Sequence, residues 1–136
     1  MEIVVKTFKD LTVWQEAMTL VEMVYSETKN YPKEEIFGLT NQTRRAAVSI
    51  PANIAEGNGR KSRAEYLNYL AIANGSLAEL ETHLLIAVRI TYLNKQKMDI
   101  LQNQLHSVGR LLTALRKSLA PPPQPPVPNP RSPSST

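Results

Sequence analysis

Apolar residues recur at steps of three and four along most of this chain, and no stretch sustains an alternation of two. The first spacing belongs to a helix and the second to a strand. Strands are therefore not expected, and the apolar lines of several helices must be buried on one another. Breaks are few. Before residue 120, proline occurs only at Pro32 and Pro51. The length, 136 residues, is that of one domain able to bury a core without staples.

The spacing predicts four helices. The first starts between Asp10 and Thr12, capped by Asp10 or by a Thr12–Gln15 box. Its main apolar line is Leu11, Trp14, Met18, Val21, Tyr25 and Thr28, widened by Val13, Ala17, Leu20 and Val24. Tyr31-Pro32 ends it. The second runs from about Leu39 to Gly57, with Leu39, Ala46, Ala47, Ile50 and Ile54 as core face. Pro51 should bend it, and Gly57, Asn58 and Gly59 should stop it through left-handed backbone angles. The third opens on a Ser62–Glu65 capping box. Tyr66, Leu70, Ala73, Leu77, Leu80, Leu84 and Val88 keep one face of it apolar as far as about Leu93. Gly75-Ser76 inside it suggests a close approach by a neighbouring backbone. The fourth, after Asn94, carries a heptad seam: Met98, Leu101, Leu105, Val108, Leu112, Leu115 and Leu119.

Four helices on short loops predict an all-α fold, an antiparallel up-down-up-down four-helix bundle over residues 10–119. Residues 1–9 read as a loose, extended N-terminal arm. Residues 120–136 hold eight prolines and read as a disordered or polyproline II tail. Its P-x-x-P spacings could dock an aromatic groove.

The chain has no cysteine, which excludes disulfides and thiolate metal sites and fits a reducing cytoplasm. No signal-peptide pattern and no apolar run near membrane-spanning length are present, so no membrane partner is expected. A net charge of +4 permits an RNA or DNA partner, though it serves solubility equally well.

The second helix carries an ordered polar line. Gln42, Arg45, Ser49, Asn53, Glu56 and Arg60 fall within an arc of roughly 80° beside the core face. Arg44, Val48, Pro51 and Ala55 lie opposite. One use of the line is structural: a half-buried seam in which Arg45 and Arg60 pair with Glu56 and with Glu65 or Glu79 of the third helix, or across a subunit contact. The other is contact with phosphates through Arg44, Arg45, Arg60, Lys61 and Arg63, helped by backbone N–H groups at the Gly57–Arg63 break. Val48 with Ala55 makes a second apolar strip on the same helix. That strip, with Trp14 and the outer sides of the first and fourth helices, predicts a homo-oligomer.

Catalytic and ligand motifs are not found. GNGRKS lacks the spacing of a phosphate-binding loop and the strand before it. His83 and His106 stand on different helices outside any metal motif. No Glu-x-x-His pair of a di-iron bundle occurs, and Ser49 has no His or Lys in helical register to activate it. The expectation is a non-enzyme with no catalytic residue, metal or cofactor.

The runs FKDLTVWQEAMTL and YPKEEIFGLTNQTRRAAVSIPANIAEGNGRKSRAEYLNYLAIANGSLAELETHL resemble the 23S rRNA intervening-sequence proteins. The resemblance covers roughly residues 8 to 118. It is densest at Arg44-Arg45-Ala46-Ala47, Ser49-Ile50, Asn53-Ile54-Ala55-Glu56-Gly57, Arg60, Glu65-Tyr66 and Gly75-Ser76-Leu77 with Glu79-Leu80-Glu81. It implies an antiparallel four-helix bundle that assembles as a homopentamer, tied to inserts in 23S rRNA genes. More distantly, the chain is similar to the accessory variability determinant of diversity-generating retroelements. That likeness implies a pentamer that binds nucleic acid and a reverse transcriptase.

Overall fold

The computed structural model describes residues 7–121, and most of these lie in four helices: α1 (Thr12–Thr28), α2 (Leu39–Asn58), α3 (Arg63–Arg89) and α4 (Lys95–Leu119). Each helix packs on its neighbours in sequence, and α4 closes on α1. Cross-contacts fix the directions. Ser49 of α2 meets Ser76 of α3, and Gly57 meets Tyr69. Lys97 at the start of α4 reaches Glu27 near the end of α1, and Gln104 reaches back to Glu16. Neighbouring helices are thus antiparallel, as the short loops predict.

The core is the apolar line of each helix. Leu20, Ile50, Ile54, Leu70, Leu80, Leu84, Leu101 and Leu112 are fully buried. Burying one such side chain is worth roughly 1.5–3 kcal/mol. On α4 the predicted seam holds from Met98 to Leu112, while Leu115 and Leu119 are half-buried. On α1 the prediction needs correcting. The buried line is Val13, Ala17, Leu20, Val24 and Thr28, while Met18 and Tyr25 lie on the surface. The two lines share one spacing and sit about 100° apart on the helix, so period alone does not choose between them. Wedging between α2 and α4 selects the line of shorter side chains. Trp14 is likewise half-buried, with Phe8 edge-on at 5.3 Å.

Helix ends differ from expectation in three places. Neither Asp10 nor a Thr12 box caps α1. Its N-cap is Leu11, and Asp10 instead closes a capping box with Thr7 around a 3-10 turn, Phe8–Asp10. The described end of the predicted arm is therefore turned, not extended. Second, α2 runs through Pro51 as expected but stops without a left-handed glycine, since Gly59 has φ −80°. Gly57 is required for space instead. A Cβ there would lie 2.8 Å from Tyr69 Cβ and 3.2 Å from the Tyr66 carbonyl oxygen. Third, half of the Ser62 box forms: Ser62 Oγ accepts from the Glu65 N–H, and the Glu65 carboxylate turns to the Ser62 hydroxyl.

The left-handed residue of the bundle is Thr91, φ 69°, where α3 ends and the Tyr92 N–H returns to the Ala87 carbonyl. At Gly75 no neighbouring backbone arrives. A Cβ there would meet nothing within 4 Å, and the outer side of α3 exposes Ile72, Leu85, Ile86 and Ile90. No helix among the described residues is long and apolar enough to cross a membrane. The Pro-rich tail and the Ile3–Val5 run lie outside the described residues, apart from Ala120 and Pro121.

Candidate nucleic-acid interface

The predicted polar line resolves into separate pieces. In the middle of α2, Ser49 Oγ lies 2.8 Å from Ser76 Oγ, and Asn53 Nδ2 donates to the Ser49 carbonyl and hydroxyl. These groups are half-buried and answer one another, so this piece is structural. At the C-terminal end, Arg60 Nη2 donates to Glu56 Oε1 at 2.6 Å and to the Tyr69 hydroxyl at 2.7 Å. Its guanidinium sits 4.9 Å above the Tyr69 ring. Tyr69, ahead of Glu56, holds the Arg60 guanidinium above its ordinary range. Arg60 and Glu56 pair as expected, but on the surface and not in a buried seam.

The remaining members do not join. Gln42, Arg45 and Glu79 are exposed and make no side-chain hydrogen bond or ion pair among the described residues, and Glu65 serves its own helix N-terminus. The expected Arg45 pairings with Glu56, Glu65 or Glu79 are absent because each of these acids is used locally or points to solvent. Of the N–H groups expected at the Gly57–Arg63 break, only those of Lys61, Ser62 and Arg63 stay without a hydrogen-bond acceptor among the described residues. Gly59 and Arg60 donate theirs to the Ala55 and Gly57 carbonyls, and Glu65 donates to Ser62. Lys61 and Arg63 are exposed beside the break.

At the N-terminal end of α2 the arrangement is different. Arg44 Nε donates to Thr28 Oγ1 at 2.8 Å, and the guanidinium lies 4.7 Å over the Tyr25 ring. Thr28 is buried at the end of α1 and spends its own proton on the Val24 carbonyl. Its oxygen is left as the acceptor that fixes Arg44. No carboxylate lies within 4 Å of Arg44 or Arg45 among the described residues, whose ion pairs are Arg60–Glu56 and Lys97–Glu27. The two arginines border a groove of about 700 Å³ shared with Tyr25, Phe37, Asn41 and Val48. Arg44 also borders a smaller cavity of about 270 Å³ lined by Tyr31, Lys29 and Lys33. The Tyr31 hydroxyl is buried without a hydrogen-bond partner, and burial, with the Glu27 charge behind it, pushes it up to about 12.

The five cations singled out from the sequence are thus not one patch. Arg44 lies in the second turn of α2 and Arg60 just past its end at Asn58, so roughly 20 Å of helix stands between them. Sequence reasoning placed Tyr25 and Thr28 on an apolar helix face rather than beside Arg44, and it passed over Phe37 and Tyr69. One signal was available for Phe37: an aromatic in the charged turn KEEIFG has no helical face to bury it. Elsewhere, His83 Nδ1 is buried without a partner, and His106 meets Gln102, which donates to Glu81. No group of three His, Cys, Asp or Glu among the described residues could hold a metal.

Fold and surface together define an antiparallel four-helix bundle with arginine clusters at the two ends of one helix. The chain belongs to a known family of such bundles, the one described as 23S rRNA-intervening sequence protein, which matches residues 9–114. A similar solved structure is a protein of unknown function of the S23 ribosomal protein family from Bacteroides thetaiotaomicron. It is 25% identical, covers 78% of this chain and 99% of that one, and superposes with a TM-score of 0.72. No curated protein matches the chain.

Proposed function

We propose that this protein is a non-catalytic, cytoplasmic, homo-oligomeric bundle, a pentamer, that binds nucleic acid through the Arg44/Arg45 end of α2 in the context of an rRNA insert. One observation carries the reading. Arg44 is held in place by Thr28 and Tyr25, both uncharged, so its positive charge and that of Arg45 stay unanswered at the mouth of a groove. A cation fixed by neutral groups is preorganised for an anion from outside. Arg60, by contrast, spends its charge on Glu56 and is assigned to structure. Family membership supports the rRNA setting, and the exposed apolar side of α3 supports self-association.

Binding of labelled RNA and DNA, followed by fluorescence anisotropy at rising salt, tests the proposal. Affinity should fall steeply with salt, and Arg45→Ala, at an exposed position, should weaken it without lowering the melting temperature. Absence of binding at low salt, or binding untouched by Arg44→Ala and Arg45→Ala, sinks it. Light scattering tests assembly: the mass should be about five times 15.2 kDa, and Ile86→Lys should reduce it.

A second reading is an interaction module, including an accessory role beside a reverse transcriptase in a retroelement. The closed Glu56–Arg60–Tyr69 cluster and the bare α3 face favour it, since both serve packing without nucleic acid. A reverse transcriptase and template repeat beside the gene would favour that role. A flanking 23S rRNA gene would favour the first.

A further inference from the structure

We propose that the groove at the N-terminal end of α2 takes single-stranded rather than duplex nucleic acid, with a base stacked on Phe37 and the adjoining phosphate held by Arg44 and Arg45. This deepens, and rests on, the nucleic-acid reading above. Phe37 is 91% exposed, the most open of the large apolar side chains in the described chain. It stands on a turn pinned from several sides. The Gly38 N–H donates to the Glu35 carbonyl at 2.9 Å, the Leu39 N–H to Glu35 Oε1 at 3.2 Å, and the Tyr92 hydroxyl to Glu35 Oε2 at 2.9 Å. Glu35 is thereby consumed in building the turn, and Glu34 is the acid left open beside it.

The result is an aromatic platform held at the edge of a carboxylate-free arginine pair. Ring faces next to cations suit a strand whose bases are free to stack and whose phosphates follow at each step. In a duplex the base faces are already stacked on one another, so Phe37 would gain nothing. A second copy of this chain is the weaker occupant. It carries a net charge of +4, and bringing it onto two unanswered arginines adds like charge.

The test uses the full chain, a labelled twelve-nucleotide single-stranded RNA and the duplex of the same sequence, at about 50 mM salt, where phosphate contacts are strong. The single strand should bind more tightly. Phe37→Ala should weaken it roughly tenfold, the loss of one stacked base, while duplex binding stays unchanged. Phe37→Trp should hold or improve the single-strand affinity. Equal affinity for both probes, with Phe37→Ala without effect, overturns the inference and leaves the phosphate reading intact. Loss of the oligomer in Phe37→Ala, read by light scattering, overturns it in favour of a subunit contact. If neither probe binds the wild-type chain, the underlying reading has failed instead.

Discussion

The two ends of α2 carry the same residue type in opposite states. At the C-terminal end, Arg60 is paired with Glu56, bonded to Tyr69 and laid over its ring, while Gly57 lets α3 come within contact of the helix backbone. At the N-terminal end, Arg44 is positioned just as firmly, but by a hydroxyl and a ring that leave its charge intact, and Arg45 has no partner among the described residues. Charge alone therefore says little about what an arginine is for. A guanidinium beside an acid has its charge answered locally, and one fixed by neutral groups keeps its field for something else.

The largest effect should come from filling the closed end. In Gly57→Ala the new Cβ meets Tyr69 Cβ, an atom near the backbone of α3 with little room to move. Overpacking should outweigh the gain in helix propensity and cost about 2–3 kcal/mol, read in denaturant unfolding. A variant as stable as the parent would mean that the two helices separate easily and that this end is not closed.

The open end should reveal itself in alkali. The Tyr31 hydroxyl, buried and unpartnered, is pushed from 10.0 to about 12. A raised value means that the folded chain holds this proton more tightly than the unfolded chain. The contribution is whole below pH 10 and is lost as the pH climbs from about 10 to about 12. It amounts to roughly 3 kcal/mol at most. Tyr31→Phe should flatten that part of the stability–pH curve and should not destabilise at neutral pH, because no hydrogen bond is given up. An undiminished alkaline drop in Tyr31→Phe assigns it to another group.

Between the two ends, Ser49→Ala should cost about 1 kcal/mol, since it strips Ser76 of its partner and Asn53 of one of its two acceptors. An unchanged melting temperature would show that water replaces the hydroxyl and that the middle of the seam is surface rather than structure.

Most of the fold was legible because it depends on period. The core faces of α2, α3 and α4 follow from residues such as Ile50, Leu77 and Leu105 alone. On α1 the period was right but the face was centred on the wrong line: Val13–Val24, expected only to widen it, is the buried one, and of the main line Leu11, Trp14 and Val21 are half-buried while Met18 and Tyr25 are exposed. The site was less legible. Its arginines stand out in sequence, but their states depend on groups far along the chain: Thr28 lies 16 residues from Arg44, and Tyr69 lies nine from Arg60. Gly57 was noticed for the wrong reason, since backbone freedom and lack of bulk look alike in a sequence. Phe37 acquires meaning only once the turn that carries it is seen to be pinned by Glu35.

The contrast between the ends is tested most directly by the salt dependence of nucleic-acid affinity in two variants side by side. Arg44→Ala with Arg45→Ala should weaken binding and lower the slope of log K against log salt by about two, one for each lost phosphate contact. Arg60→Ala should leave both slope and affinity as they are. The account is contradicted if Arg60→Ala lowers the slope as much as the double variant does, or if the double variant binds like the parent chain.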